Sequence, residues 1–270
     1  MRPEVIATDL DGTLLRSDGS LGAVTRQVLA ACQAAGALLV ICTARPVRWM
    51  RPLGTEVGGG PLAACDNGAV LWDLAADRLL DTRALAPADA QGVVDSINAV
   101  LPGGAWAVER VDSFGHEPGY RPHWPPPAGS LVAPAVRLVS EPVVKLMFRH
   151  TQYTADEMLL PARDAAGPRA EVTHSNSAGD LLEISAPGVS KASALAALCV
   201  QRGIPASRVI AFGDMPNDLS MLRWAGHAVA VAGSHPDVVA AADEVAPHND
   251  DEGVAQVLAR MWSLPSSAGR

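Results

Sequence analysis

The chain has 270 residues, 49% of them hydrophobic and 19% charged, a balance that excludes disorder and fits one large domain or two modest ones. Its net charge of −8, with no concentrated basic patch, excludes a general nucleic-acid or membrane-surface role. The opening "MRPEVIATDL" is neither a signal peptide nor an anchor, and no later segment offers an apolar span of membrane length, so a soluble, cytoplasmic protein is expected.

The first apolar run, Val5 to Ala7, reads as a buried strand that ends on "DLDGT". There Asp9 and Asp11 stand close together, and like charges so close call for a cation or a proton between them. A helix over 22–35 stops at Gly36. The next two buried strands, Leu38 to Cys42 and Leu62 to Cys65, end on "CTAR" and "CDNGA". Further on come a helix over 87–100, a proline- and glycine-rich loop over 116–130 and a strand from Val143 to Phe148. A helix over 154–166 follows, then strands over 170–175 and 180–185 joined by the turn-like "SNSAG". The helix over 191–202 starts after Ser190 as N-cap and stops at Gly203. Strands from Val209 to Phe212, ending on "GDMPND", and from Ala228 to Ala232 complete the series, and the tail "SLPSSAGR" reads as frayed.

Strand and helix alternate in the first and last thirds, the rhythm of a parallel sheet covered by helices. The fold class expected is therefore α/β, with a Rossmann-like parallel-sheet core over 1–82 and 187–270 and an inserted α+β domain over 83–186. The four cysteines, Cys32, Cys42, Cys65 and Cys199, lie in apolar surroundings without C-x-x-C spacing and read as buried thiols.

In an open parallel sheet, ligands bind beyond the carboxyl ends of the strands. Each core strand end named above carries polar residues, and Lys191 opens a nearby helix. Taken singly, each cluster is a plain turn, a cap or a surface charge. Taken together they offer several carboxylates, a hydroxyl, an arginine and a lysine at corresponding strand ends. Such an oxygen-rich set suits Mg²⁺, which would let Asp9, Asp214 and Asp218 stay ionised side by side.

The stretches "DLDGTL" (9–14), "ICTAR" (41–45), "DNGA" (66–69), "GVSKASAL" (188–195), "GDMPNDLSML" (213–222) and "DDEGVAQVL" (from 250) make the chain resemble the haloacid dehalogenase superfamily, in its Cof-type branch of phosphatases with a large α/β cap. Ala44, where the family more often has Gly, and "GSHPD", where an asparagine–alanine pair is common, are departures that touch no charged or nucleophilic group. The resemblance implies that Asp9 attacks the phosphorus of a phosphomonoester and forms an aspartyl-phosphate. It implies that Asp11 protonates the leaving alcohol and then activates the hydrolytic water. Mg²⁺ would be held by Asp9, the Asp11 backbone carbonyl, Asp214 and Asp218, the last directly or through water. Gly12, Thr43, Lys191 and Asn217 would bind the phosphate. Ser17, Asp18 and Gly19 resemble the tip of the small hairpin that shields the site. The inserted domain corresponds to the cap, which would close over and select the substrate.

Arg45, Asn67, Lys145, Ser175 and Glu183, with Arg48 and His174, are the residues expected to contact the variable part of that substrate. His116 and His123 read as structural residues of the proline-rich loop and not as metal ligands, and Trp106, Tyr120 and Trp124 as anchors more than stacking platforms. The expected function is Mg²⁺-dependent hydrolysis of small phosphorylated metabolites by a monomer or homodimer. A phosphotransferase or phosphomutase using the same motifs is the enzymatic alternative, and a non-catalytic sensor of phosphorylated ligands the alternative from another class.

Overall fold

The computed structural model describes residues 2–57, 60–176 and 178–264. Ser177 of the "SNSAG" turn and all but the first two residues of the tail lie outside the described residues. The chain forms two compact units, Met1–Asp81 with Lys191–Arg270, and Thr82–Ser190.

In the first unit the chain runs through β1 (Val5–Thr8), α1 (Ala23–Ala34), β2 (Leu38–Cys42), α2 (Val47–Val57), β3 (Leu62–Cys65), β4 (Val70–Asp73) and β5 (Arg78–Thr82). The second unit follows with α3 (Pro87–Val100), β6 (Ala105–Glu109), β7 (Phe114–His116), β8 (Leu131–Val132), α4 (Ala135–Leu138), β9 (Lys145–Arg149), α5 (Ala155–Ala166), β10 (Glu171–Thr173) and β11 (Leu181–Ser185). The first unit resumes with α6 (Lys191–Arg202), β12 (Val209–Gly213), α7 (Leu219–Trp224), β13 (His227–Val231), α8 (Pro236–Ala241), β14 (Glu244–Ala246) and α9 (Gly253–Trp262).

The first unit's sheet has the order β14-β13-β12-β1-β2-β3-β4-β5. Pairing is parallel from β14 to β3, and β4 turns antiparallel to β3. The strands VIAT, LLVIC and VIAFG are apolar at nearly every position because both faces are covered. On one face Val5, Ala7, Val40, Cys42, Leu62 and Ala64 pack with Leu195, Leu198 and Cys199 of α6, Met221 and Leu222 of α7 and Val238 of α8. The interleaved residues Ile6, Leu39, Ile41 and Ala63 are also fully buried, and α1 packs on α9. All four cysteines are free and buried, and burial pushes the Cys42 thiol up to about 12, so the apolar reading of these residues holds.

The second unit's sheet has the order β10-β11-β9-β6-β7-β8 and is antiparallel except between β7 and β8. Trp106, Phe148 and Leu182 stand in one row and Val108, Leu146 and Ile184 in the next on the same face, all buried. The strand expected from Val143 starts two residues later, because Val143 instead pairs with Leu85 in an isolated bridge. The loop expected over 116–130 gives up His116 to β7 and is otherwise irregular. Trp124 in this loop is 60% exposed, whereas Tyr120 is buried and Trp106 is a core residue of β6. No helix among the described residues is long and apolar enough to cross a membrane.

Candidate active site

Strand order reverses at β1: the sheet grows through β2 and β3 on one side and through β12, β13 and β14 on the other. At such a switch point the loops leaving the two central strands part and leave a crevice at their carboxyl ends. Asp9 follows β1 and donates its backbone N–H to Phe212 O at 2.9 Å. Asp214 follows β12 directly. The topology therefore brings two carboxylates, 205 positions apart by number, to one place.

The turn after Asp9 is closed by Leu15 N donating to Leu10 O at 2.9 Å. Gly12 inside it has φ +80°, and a Cβ there would stand 2.6 Å from Asp214 Oδ2. Both the left-handed backbone and the close approach exclude a side chain. Thr13, one residue on, donates from Oγ1 to Asp214 Oδ1 at 2.6 Å and fixes that carboxylate.

Lys191 opens α6 and is fully buried. Its Nζ bonds Asp9 Oδ1, and it donates to Asp218 Oδ1 at 2.6 Å. The other oxygen of Asp218 accepts from the backbone N–H groups of Asp214 and Met215, both at 3.0 Å, which holds the "GDMPND" turn closed. One carboxylate oxygen from each of Asp9, Asp214 and Asp218 falls within a 4.8 Å cluster.

The electrostatics follow from this crowding. Burial pushes Asp9 well above the ordinary carboxylate range, the charges of Asp218 and Asp214 push it further, and Lys191 only partly opposes them. Asp214 rises to about 7, from burial first and the Asp218 carboxylate second. Burial works against the charge of Lys191, but the carboxylates of Asp218 and Asp9 outweigh it and raise its pKa. Three carboxylates, two of them buried and the third half-buried, against one ammonium leave an excess of negative charge, and every remaining donor is an oxygen. The residues present therefore fit a hard divalent cation.

Asp11 stands outside this cluster. Arg45 grips its carboxylate with two N–H groups, Nη2 to Oδ1 at 2.5 Å and Nε to Oδ2 at 2.8 Å. Thr43 is buried at the end of β2, and its Oγ1 accepts from Arg45 N at 3.1 Å. Asn217 donates from Nδ2 to Asn67 Oδ1 at 3.1 Å. A cavity of about 380 Å³ opens beside Asp11, Gly12 and Asp214 and is bounded further out by Arg16, Ser17 and His248. Ser17 is tied by its N–H and hydroxyl to Asp250 at 2.7 and 2.8 Å, so the turn at Ser17–Gly19 is fastened to the chain before α9.

The residues named in the second unit are placed as follows. Lys145 and Glu183 form a buried ion pair at 3.1 Å. His174 is buried and meets Asp156 at 2.8 Å, while Ser175 is exposed. In the first unit, Arg48 of α2 lies over the Trp49 ring at 5.4 Å. His116 faces Glu117 O at 2.7 Å and His123 packs edge-on against Trp124. Among the described residues neither histidine joins a group of three side chains able to hold a metal.

For two residues here, the partners lie far away in the sequence. Thr13 looks like part of a turn until Asp214 is folded against it. Glu252, 227 positions beyond Thr25 by number, accepts from Thr25 N at 2.6 Å and Thr25 Oγ1 at 2.9 Å, and it pairs with Arg16. It thereby caps α1, whose own N-cap, Gly22, has no side chain to do so.

A family model described as haloacid dehalogenase-like hydrolase matches residues 6–258. The chain is 28% identical over 272 residues to the pyridoxal phosphate phosphatase YbhA of Escherichia coli (strain K12), covering 96% of this chain and 98% of the relative. It is 25% identical over 263 residues to the 5-amino-6-(5-phospho-D-ribitylamino)uracil phosphatase YcsE of Bacillus subtilis (strain 168), covering 97% and 96%. Among solved structures, SMU.1108c of Streptococcus mutans UA159 superposes with a TM-score of 0.84 at 23% identity, over 97% of this chain and 99% of the other, which shows a shared fold.

Proposed function

Since this chain belongs to the haloacid dehalogenase-like hydrolases, we propose that it is a Mg²⁺-dependent phosphatase of small phosphomonoesters working through an aspartyl-phosphate. The observation that carries the reading is Asp9 at the switch point, buried against Lys191 with Asp214 and Asp218 beside it, and Asp11 two residues on in a separate, more open position.

Asp9 attacks phosphorus through a carboxylate oxygen, and the bond to the leaving oxygen breaks as Asp11 delivers a proton to it. Asp11, now ionised, takes a proton from water, and the hydroxide displaces Asp9 from phosphorus to give inorganic phosphate. Lys191, the Thr43 hydroxyl and the backbone N–H groups near Gly12 hold the equatorial oxygens, where charge spreads in a loose transition state. Asp9, Asp214 and Asp218, with the Asp11 carbonyl, would hold Mg²⁺, which when bound neutralises carboxylate and phosphoryl charge. Arg45 keeps Asp11 oriented between steps. Two of the relatives named above are phosphatases of phosphorylated, ring-bearing small molecules, which supports a substrate of that general kind.

The test is phosphate release from a panel of sugar phosphates, nucleotides, flavin mononucleotide and pyridoxal phosphate, with Mg²⁺ and with chelator. Asp9→Asn is expected to lower kcat roughly 10³-fold or more with its melting temperature preserved. Wild-type turnover in the Asp9→Asn protein would sink the mechanism.

A further inference from the structure

The hairpin between β3 and β4 has an unusual backbone. Cys65 pairs with Val70, so the loop is only Asp66 to Ala69, and three consecutive residues in it, Asp66, Asn67 and Gly68, have φ of +50°, +57° and +96°. Glycine adopts such angles freely, but Asp66 and Asn67 do so at a cost in strain. That backbone points two N–H groups at the neighbouring loop: Asp66 N donates to Arg45 O at 3.1 Å and Asn67 N to Thr43 O at 2.9 Å. The hairpin tip is thereby pinned to the strand end that carries the Thr43 hydroxyl.

The Asn67 side chain then reaches the other way. It is 3% exposed, and its Oδ1 accepts from Asn217 Nδ2 at 3.1 Å. Asn217 sits in the middle of the turn that presents Asp214 and Asp218. β3 and β12 are not neighbours, because β1 and β2 lie between them. The amide pair therefore spans the ends of the two strands that carry Asp9 and Thr43. Its maintenance is costly: Asn67 Nδ2 and Asn217 Oδ1 are buried without a hydrogen-bond partner among the described residues, and an apolar pair would avoid that penalty. Strain in the backbone and unpaired amide atoms converge on one contact, and that contact ties the phosphate side of the site to the carboxylate side.

We propose that Asn67 is a positioning residue for phosphoryl transfer, acting through Asn217 to hold the Asp214–Asp218 turn in register with the Thr43 loop across Asp9. The inference rests on the phosphatase reading above. It assigns Asn67 to the reaction common to all substrates and removes it from the residues expected to select among them.

Asn67→Gly tests this, because glycine meets the backbone requirement at φ +57° and deletes only the amide. Phosphate release is measured for Asn67→Gly, Asn217→Ala and the double variant on two chemically different phosphomonoesters, beside wild type and Asp9→Asn. The expected result is a fall in kcat of at least tenfold for Asn67→Gly on both substrates, KM within threefold, and a double variant no worse than the worse single one. A kcat within twofold of wild type would overturn the proposal. So would losses that multiply in the double variant, a loss confined to one substrate, or unfolding of Asn67→Gly at the assay temperature, which would make the amide a structural strut. Absence of Asp9-dependent release by the wild-type protein would mark failure of the phosphatase reading itself, a different outcome from release that Asn67→Gly leaves intact.

Discussion

Asp214 is the residue through which pH acts most directly on the candidate site. Its carboxyl is raised to about 7, so below that pH it keeps a proton where the proposed cation would bind. The direction follows from the linkage: an acid whose folded pKa is raised binds its proton more tightly in the folded state, so Asp214 makes the metal-free protein lose stability as pH climbs from 3.8 toward 7. A cation must displace that proton, so its affinity should rise with pH, by roughly tenfold per pH unit below about 7 from Asp214 alone. Mg²⁺ titrated against melting temperature at pH 5.5, 6.5 and 8 checks this, with the Mg²⁺-induced shift expected to be smallest at pH 5.5. An equal shift at all three values would show that cation and proton do not compete there.

At the scale of the element, α1 illustrates how a helix can depend on chain far from its own sequence. Its N-terminus is completed by the Glu252 carboxylate, which also pairs with Arg16. Burial works against that carboxylate's charge, but the Thr25 N–H and hydroxyl and the Arg16 guanidinium hold its pKa below the ordinary value. Glu252→Ala should cost about 2 kcal/mol, the range of hydrogen bonds to a charged group. A depressed acid stabilises above its unfolded pKa, so the gap to wild type should narrow as pH falls below 4.5. Denaturant melts at pH 7 and pH 3.5 measure both values, and an unchanged gap at low pH would mean that packing and not the ionised carboxylate is responsible. The elements readable in advance are those whose signals are local. β1, β2 and β3 announce themselves as short apolar runs, and α5 begins after Thr154, whose hydroxyl accepts from Glu157 N in a capping box. α2 hides behind Pro52, β5 behind five exposed residues that show no burial pattern, and β8 behind its two-residue length. Asp9, Asp11 and "GDMPND" stand out as polar punctuation after apolar strands. Thr13, Glu252 and the Asn67–Asn217 contact become visible only when distant segments meet.

For the whole molecule, every carboxylate of the proposed cation site belongs to the first compact unit. Amide exchange followed with and without Mg²⁺ should therefore show added protection near residues 9–14 and 213–219, and none across residues 87–185. Protection spread evenly over both units would mean that the cation acts on the molecule as one cooperative body.

The pairing of Val5 with Val209 at the centre of the sheet also sets an order on how the protein comes into being. The strand bearing Asp9 is made well before β12, one of its two neighbours, and the Thr82–Ser190 unit, complete in itself along the chain, is made in the interval. Until β12 arrives, β1 is an apolar edge with an unpaired row of backbone groups, the kind of surface chaperones hold and aggregates recruit. Closing that gap means joining distant parts of the chain, a slow step by loop entropy. Asp9 thus meets Asp214 and Asp218 only after the Thr82–Ser190 unit and α6 have been made, and a chain that stops before residue 209 carries Asp9 without the two carboxylates that stand beside it.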